Sequence, residues 1–206
     1  MAKAKTPKPK TCKICQSEFT PRSTTHTVCS LECTIELSNR NIQRKEDRAL
    51  RRQRSIERQE LKVRREKLKS KSDWTKEAQA AVNKYIFWRD YGQPCIACGR
   101  ALNYGVRGGA VDASHYRSRG SASHLRFNLF NIYAGCVQCN RDLSGNLIPY
   151  RINLIEKIGE ERVTQLERDN QPRKFNIEYL KRVKKLFTRR ARYYEKRQKQ
   201  KQMEAA

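Results

Sequence analysis

Eight cysteines in four close pairs constrain this chain more than any other feature: Cys12-x2-Cys15, Cys29-x3-Cys33, Cys95-x2-Cys98 and Cys136-x2-Cys139. No cysteine is left over. A C-x2-C loop lets two thiolates meet one tetrahedral zinc at about 2.3 Å, and a second pair closes the shell. The pattern predicts two structural zinc sites. Cys12, Cys15, Cys29 and Cys33 form the first, and Cys95, Cys98, Cys136 and Cys139 the second. A disulfide framework would instead need an oxidising compartment and a secretory signal. The start, Met1-Ala2-Lys3-Ala4-Lys5, is basic but lacks an apolar h-region, so no signal peptide is expected. No apolar stretch nears the roughly 18 residues that mark a transmembrane helix, so no membrane partner is expected. The reading is a cytoplasmic protein with reduced, metal-bound thiols.

Charge selects the partner. Lys and Arg number 46 against 21 Asp and Glu, a formal +25 over 206 residues. The sequence pI of about 10.1 carries a nucleic-acid-binding footprint. Such charge opposes compaction by self-repulsion, and a polyanion relieves it. A membrane surface is the rival polyanion, but an interfacial helix needs a strong apolar face. The most basic stretch here has none. Hydrophobic residues make up 37%, so the core is small and bound zinc should supply much of the folding free energy.

Composition divides the chain into five segments. Residues 1–10 read as a disordered Lys/Pro-rich tail and 11–38 as a small zinc module. Residues 39–71 read as a basic helical connector, with 14 Lys and Arg against 5 Asp and Glu and no Gly or Pro. Its apolar residues are too sparse for a sustained heptad seam. A helix polar nearly all round is a solvated connector or only partly formed. Residues 72–188 read as the main domain. Ser72-Asp73 offers an N-cap, and a helix follows from Trp74 to about Tyr91, with Trp74, Ala78, Ala81, Val82, Tyr85 and Ile86 on one side. Helical patterns recur at about 150–158, 160–168 and 176–199, with Asn176 able to cap the last. Residues 189–206 read as a basic tail that frays. The expected fold class is α+β: a small zinc finger, a long connector, a second four-cysteine module, and flanking and C-terminal helices.

The first module, Cys12-Lys13-Ile14-Cys15 with Phe19 and Cys29-Ser30-Leu31-Glu32-Cys33, resembles small treble-clef-like fingers. The likeness implies that the second pair opens a helix, which Ser30 can cap. His26 is expected on the surface, because four cysteines already fill the shell.

Between the second cysteine pairs the order Asp112-Ala113-Ser114-His115-Tyr116, Asn131, Cys136-Val137-Gln138-Cys139-Asn140 resembles the ββα-metal, or HNH, nuclease motif. That resemblance implies two short strands and a helix holding one divalent cation, Mg or Mn, beside a general base. His115 matches the base, and Asn131 matches the Asn that fixes the loop geometry. Asn140 matches a metal ligand, with Asp112 as the second. The likeness departs at Ser114, where members often carry the acid. Asp112 sits three positions before the histidine, and Asp142 is a spare candidate. The chemistry is consistent with those types. A neutral imidazole can take a proton from water. A hard cation needs few protein oxygens and keeps its waters. Arg117, Arg119, His124 and Arg126 are candidate phosphate clamps for DNA.

A wider resemblance adds Leu125-Arg126-Phe127-Asn128 and Ser144-Gly145-Asn146-Leu147-Ile148-Pro149-Tyr150-Arg151. With the N-terminal cysteine pairs and basic connector, these are similar to the NinG family of lambdoid phages, also called Rap, for recombination adept with plasmid. The resemblance implies an endonuclease acting on branched DNA such as Holliday junctions and D-loops, in the cytoplasm of the host bacterium. Recombination proteins of phage or host are the implied protein partners. Two alternatives stay open: a non-catalytic zinc-finger mediator that binds branched nucleic acid, and an RNA-binding factor. A homodimer through the connector helix is also left open, given its weak seam.

Overall fold

The computed structural model describes residues 8–105 and 110–204. Most of the tail expected at 1–10 therefore lies outside the described residues, but Lys10 already pairs in a strand. The chain forms two compact units, Met1–Leu68 and Lys69–Ala206.

In the first unit, strands β1 (Lys10–Thr11) and β2 (Glu18–Phe19) pair antiparallel. The turn between them carries Cys12 and Cys15. It closes through Cys12 N–H to the Ser17 carbonyl at 2.9 Å. Helix α1 then runs unbroken from Leu31 to Lys67. Ser30 caps it, its hydroxyl accepting from the Cys33 N–H at 3.3 Å. The boundary expected at residue 39 thus falls inside one helix, because nothing near it breaks helical propensity. The core of this unit is Cys12, Val28 and Cys33, with Phe19 and Leu37 against it. Every residue from Ser38 to Arg65 is exposed. His26 is half-buried rather than on the open surface. It accepts from the Arg22 N–H at 3.3 Å and packs edge-on against Phe19.

In the second unit, the cap of α2 (Lys71–Arg89) lies two residues before the Ser72 cap expected from sequence. Ser70 is the cap because Asp73 completes a capping box with it. Ser70 Oγ accepts from Asp73 N–H at 3.2 Å, and Asp73 accepts from Ser70 N–H at 3.0 Å. Strands β3 (Val111–His115) and β4 (Ile132–Cys136) form an antiparallel pair that sets His115 opposite Ile132 and Asp112 opposite Gly135. Gly135 is required there, since a Cβ would meet Ser114 Cβ at 2.9 Å. A short π-helical turn, Gln138–Asp142, follows β4. Three helices complete the unit: α3 (Leu147–Ile158), α4 (Glu160–Arg168) and α5 (Ile177–Glu204).

Two apolar clusters flank the strands. One packs Trp74, Val82 and Ile86 of α2 against Leu180, Val183 and Phe187 of α5. The other gathers Cys95, Tyr133 and Cys136 with Tyr150 and Leu154 of α3 and Val163 and Leu166 of α4. The end of α2 fastens β4. Arg89 donates to the Ile132 carbonyl at 2.7 Å, and Asp90 accepts from the Ala134 N–H at 3.0 Å.

The expected fraying from Arg189 does not occur. Helix α5 continues to Glu204 because its packing stripe extends through Ala191 and Tyr194. Tyr194 meets Tyr85 edge-on at 5.5 Å, and Gln202 donates to Tyr91 at 2.7 Å. Deleting residues 190–206 would therefore remove packing as well as charge.

Candidate functional site

The eight cysteines gather as two quartets, each with its ligand atoms within 4.8 Å of one another. Sulfur–sulfur separations of 3.4 Å (Cys15–Cys29), 3.7 Å (Cys29–Cys33) and 3.9 Å (Cys98–Cys136) suit a tetrahedron with arms of about 2.3 Å. Backbone N–H groups face the sulfurs of the second quartet, Cys136 N–H on Cys95 at 3.3 Å and Cys139 N–H on Cys136 at 3.4 Å. Partial desolvation of its sulfur opposes ionisation of Cys98, but the Arg100 N–H and neighbouring thiols bring its pKa down to about 7. Both quartets could hold zinc.

Beside the second quartet lies an open cleft of about 500 Å³. Strand β3 supplies Asp112 and His115, and the π-helical turn supplies Asn140 and Arg141. The basic loop after β3 adds Arg119. The wall at Ser144-Gly145 is a left-handed turn, with φ of 50° at Ser144, 99° at Gly145 and 48° at Asn146. It is tied to the quartet by Gly145 N–H on the Cys139 carbonyl at 2.8 Å. Strain of this kind persists where surrounding contacts over-determine it.

Sequence-expected residues fall into three groups. The first is brought together in the cleft. Asn140 Nδ2 donates to Asp112 at 2.9 Å, and His115 shares the same cavity. His115 Nε2 lies 3.1 Å from the Arg126 carbonyl. A carbonyl only accepts, so Nε2 carries the proton and Nδ1 keeps the lone pair of the neutral ring. Burial pushes the His115 pKa down to about 4. The Arg126 and Ala113 backbone hydrogen bonds resist this, and the charges of Arg119 and Arg126 assist it. Neither arginine pairs with a carboxylate within 4.0 Å among the described residues. Burial and the nearby Arg119 charge also lower the Arg126 pKa.

Asn131 forms the second group alone. It is fully buried and does not line the cleft. Its Oδ1 accepts from Arg117 N–H at 2.8 Å, and its Nδ2 donates to the Arg117 carbonyl at 3.0 Å. It positions the loop that follows His115. Asn131→Ala strands these buried groups, each worth roughly 1–3 kcal/mol when unpaired. Urea unfolding should show a loss of about 3 kcal/mol.

The third group is corrected by the structure. Arg117 is not a free phosphate clamp. Its guanidinium donates to the carbonyls of Leu166 (2.8 Å), Glu167 (3.2 Å) and Asp169 (2.7 Å) and to Asn170 Oδ1 (2.9 Å). It satisfies the orphan carbonyls at the end of α4. His124 is buried, with Nε2 2.6 Å from the Asp169 carbonyl, and is likewise structural. Asp142 is exposed and does not line the cleft.

Arg141 was not singled out from sequence. It grips both Asp112 oxygens, at 2.8 Å each. Burial favours protonation of Asp112, but Arg141 and Asn140 hold its carboxyl below the usual carboxylate range. The available sign was only a cation directly after Asn140. As a cation site, the cleft offers one carboxylate and one amide, whose O and N exchange by a half-turn. That fits a hard ion that keeps its waters, provided Arg141 swings out. Arg141 is 59% exposed, which leaves it room to do so. Among the described residues no cluster of three His, Cys, Asp or Glu ligand atoms forms there.

The molecule is thus an α+β protein with one four-cysteine cluster in each unit and a basic cleft beside the second. It belongs to the NinG family: the family model "Bacteriophage Lambda NinG protein" matches residues 4–200. The chain is 44% identical over 124 residues to "Protein ninG" of Escherichia phage lambda. That match covers 60% of this chain and 58% of the lambda protein, a little over half its length. To "Protein ninG" of Escherichia phage 933W it is 34% identical over 180 residues, 84% of this chain and 87% of that protein. The Salmonella phage P22 relative is 44% identical over 124 residues, covering 60% and 59%. No solved structure matches the chain. Among the described residues no helix is long and apolar enough to cross a membrane.

Proposed function

We propose that the protein is a metal-dependent endonuclease of HNH type that cleaves branched DNA in phage recombination. The carrying observation is the juxtaposition in one cleft of neutral His115, the Asp112–Asn140 pair and Arg119, which meets no carboxylate within 4.0 Å among the described residues. A water held at His115 Nδ1 loses its proton to the imidazole as it attacks phosphorus. Arg119 holds the phosphate. Asp112 and Asn140 would hold a Mg or Mn ion, which supplies Lewis-acid stabilisation of the leaving oxygen when bound. Arg141 releases Asp112 and turns to the phosphate. Two short strands followed by a helical turn, with cysteine pairs on both sides, support the reading. The buried Asn131 behind the His115 loop supports it too.

The Asp112–Arg141 pair is the observation that favours the rival, a recombination mediator that binds branched DNA without cutting it. Purified protein with Mg or Mn should nick a four-way junction faster than a linear duplex or a structured RNA. Binding of the junction without nicking in either metal would establish the rival.

Binding itself should be dominated by phosphate contacts. The logarithm of affinity should fall with log salt by about 0.9 per neutralised phosphate. At least about six contacts are expected, giving a slope of about −5 or steeper. A slope shallower than about −2 would mean that most of the +25 charge is idle.

A further inference from the structure

A second cleft, of about 420 Å³, is lined by Phe127, Asn128, Phe175 and Tyr179 with Lys174 and Arg182. From this geometry we infer that it is a binding site for an unpaired base of single-stranded DNA. The rings of Phe175 and Tyr179 lie nearly parallel, with centroids 5.0 Å apart and planes at 14°. Phe127 props them from the core side, 5.2 Å from Phe175. Phe127 is buried, whereas Phe175 and Tyr179 are only half-buried, so the platform is supported behind and partly open in front.

A platform of this kind would be unremarkable hydrophobic packing without its surroundings. Exposed Lys174 and Arg182 flank it, and neither meets a carboxylate within 4.0 Å among the described residues. The nearby acid, Asp169, accepts from Arg173 at 3.2 Å and from the Gln171 N–H at 3.1 Å. Asn128 Oδ1 is used on the Phe130 N–H at 3.0 Å, which leaves its Nδ2 to donate to a base edge. Stacking rings bordered by cations are the pattern of single-strand recognition: the rings take the base face and the cations take the backbone. The volume lies in the range of small-ligand sites and admits a nucleobase with its sugar.

Consecutive residues link the two clefts through a contact to His115. The Arg126 carbonyl contacts His115 in the first, and the Phe127 side chain lines the second. A strand whose phosphate sits in the His115 cleft can therefore place a splayed base on the Phe175–Tyr179 platform. Branch points and their flanks supply such bases. The choice of DNA over RNA rests on the proposed function; the stacking site does not.

Equilibrium binding without divalent metal tests the site separately from cleavage. Fluorescein-labelled dT12 and an abasic 12-mer of equal charge serve as probes. The wild type should prefer dT12 by about fivefold or more. Tyr179→Ala should reduce that preference to within about twofold while leaving linear duplex binding unchanged. Lys174→Gln with Arg182→Gln should weaken both probes alike. Ultraviolet crosslinking of a 5-iododeoxyuridine 12-mer to the unmodified chain should map to Phe175 or Tyr179, which covers the case of a misfolded variant. Equal wild-type affinity for the two probes, retained preference in Tyr179→Ala, or crosslinks confined to other peptides would overturn the inference.

Discussion

Cys98→Ser should unfold the Lys69–Ala206 unit and remove one of two bound zinc ions, whereas Cys15→Ser should remove the other and leave that unit folded. The asymmetry follows from where each quartet sits. Cys95, Cys136 and Cys139 are buried in the cluster built on Tyr150, Leu154, Val163 and Leu166. Cys98 is the exposed fourth ligand that closes the shell over them. Binding of structural zinc is worth about 10–16 kcal/mol near neutral pH in small metal domains. Total stability of a domain is about 5–15 kcal/mol. Losing one thiolate therefore removes more than the unit holds in reserve. The first quartet organises only the small cluster of Cys12, Val28 and Cys33. Elemental analysis should give two zinc per wild-type chain and one per variant. Far-UV circular dichroism should show a cooperative melt lost in Cys98→Ser and kept in Cys15→Ser. Because thiolates are the ligands, zinc should dissociate as pH falls. A wild-type protein purified under reduction with zinc near zero would sink the assignment.

Cysteine spacing and helix periodicity were legible because both are local. A C-x2-C pair announces its geometry within four residues, and the stripe Trp74, Ala78, Val82, Tyr85 lies on one helix face at spacings of three and four. The same locality explains the errors at Ser72, residue 39 and Arg189. Composition changes at residue 39 and Arg189, and Ser72 is a local cap signal, yet a helix ends where caps and packing end. Ser70 outranks Ser72 because of Asp73 three residues on, and α5 outlasts its charge shift because Ala191 and Tyr194 still find partners on α2. The phosphate-clamp candidates show the harder limit. Arg117, Arg119, His124 and Arg126 look alike in sequence, as basic residues in one loop. Only the fold brings the carbonyl ends of α4 to Arg117 and Asp169 to His124, which leaves Arg119 facing the cleft. Arg141 illustrates the converse: its bond to Asp112 spans 29 residues, and no local pattern announces it.

His115→Ala should lower junction cleavage by about two to four orders of magnitude, the usual size of a general-base contribution. Junction affinity should stay within a few-fold, because the substitution leaves the basic surface and the zinc quartets intact. The pH dependence is the sharper test. An imidazole titrating at its ordinary value near 6.5 would give a rate that climbs through pH 6–7. Here burial holds the proton off down to about pH 4, with the Arg119 and Arg126 charges adding to it. The acidic limb due to His115 should therefore fall near pH 4, and its contribution should be flat above about pH 6. Folding stability carries the opposite face of the same shift. Below about pH 6.5 the unfolded chain binds a proton at this ring while the folded chain refuses it until about pH 4. Acidification through that window destabilises the native state. His115→Ala should remove that part of the acid sensitivity. A variant that still cuts at the wild-type rate would refute the catalytic role. One that loses junction binding and zinc together would show that the ring serves the fold, through its bond to the Arg126 carbonyl, and not the reaction.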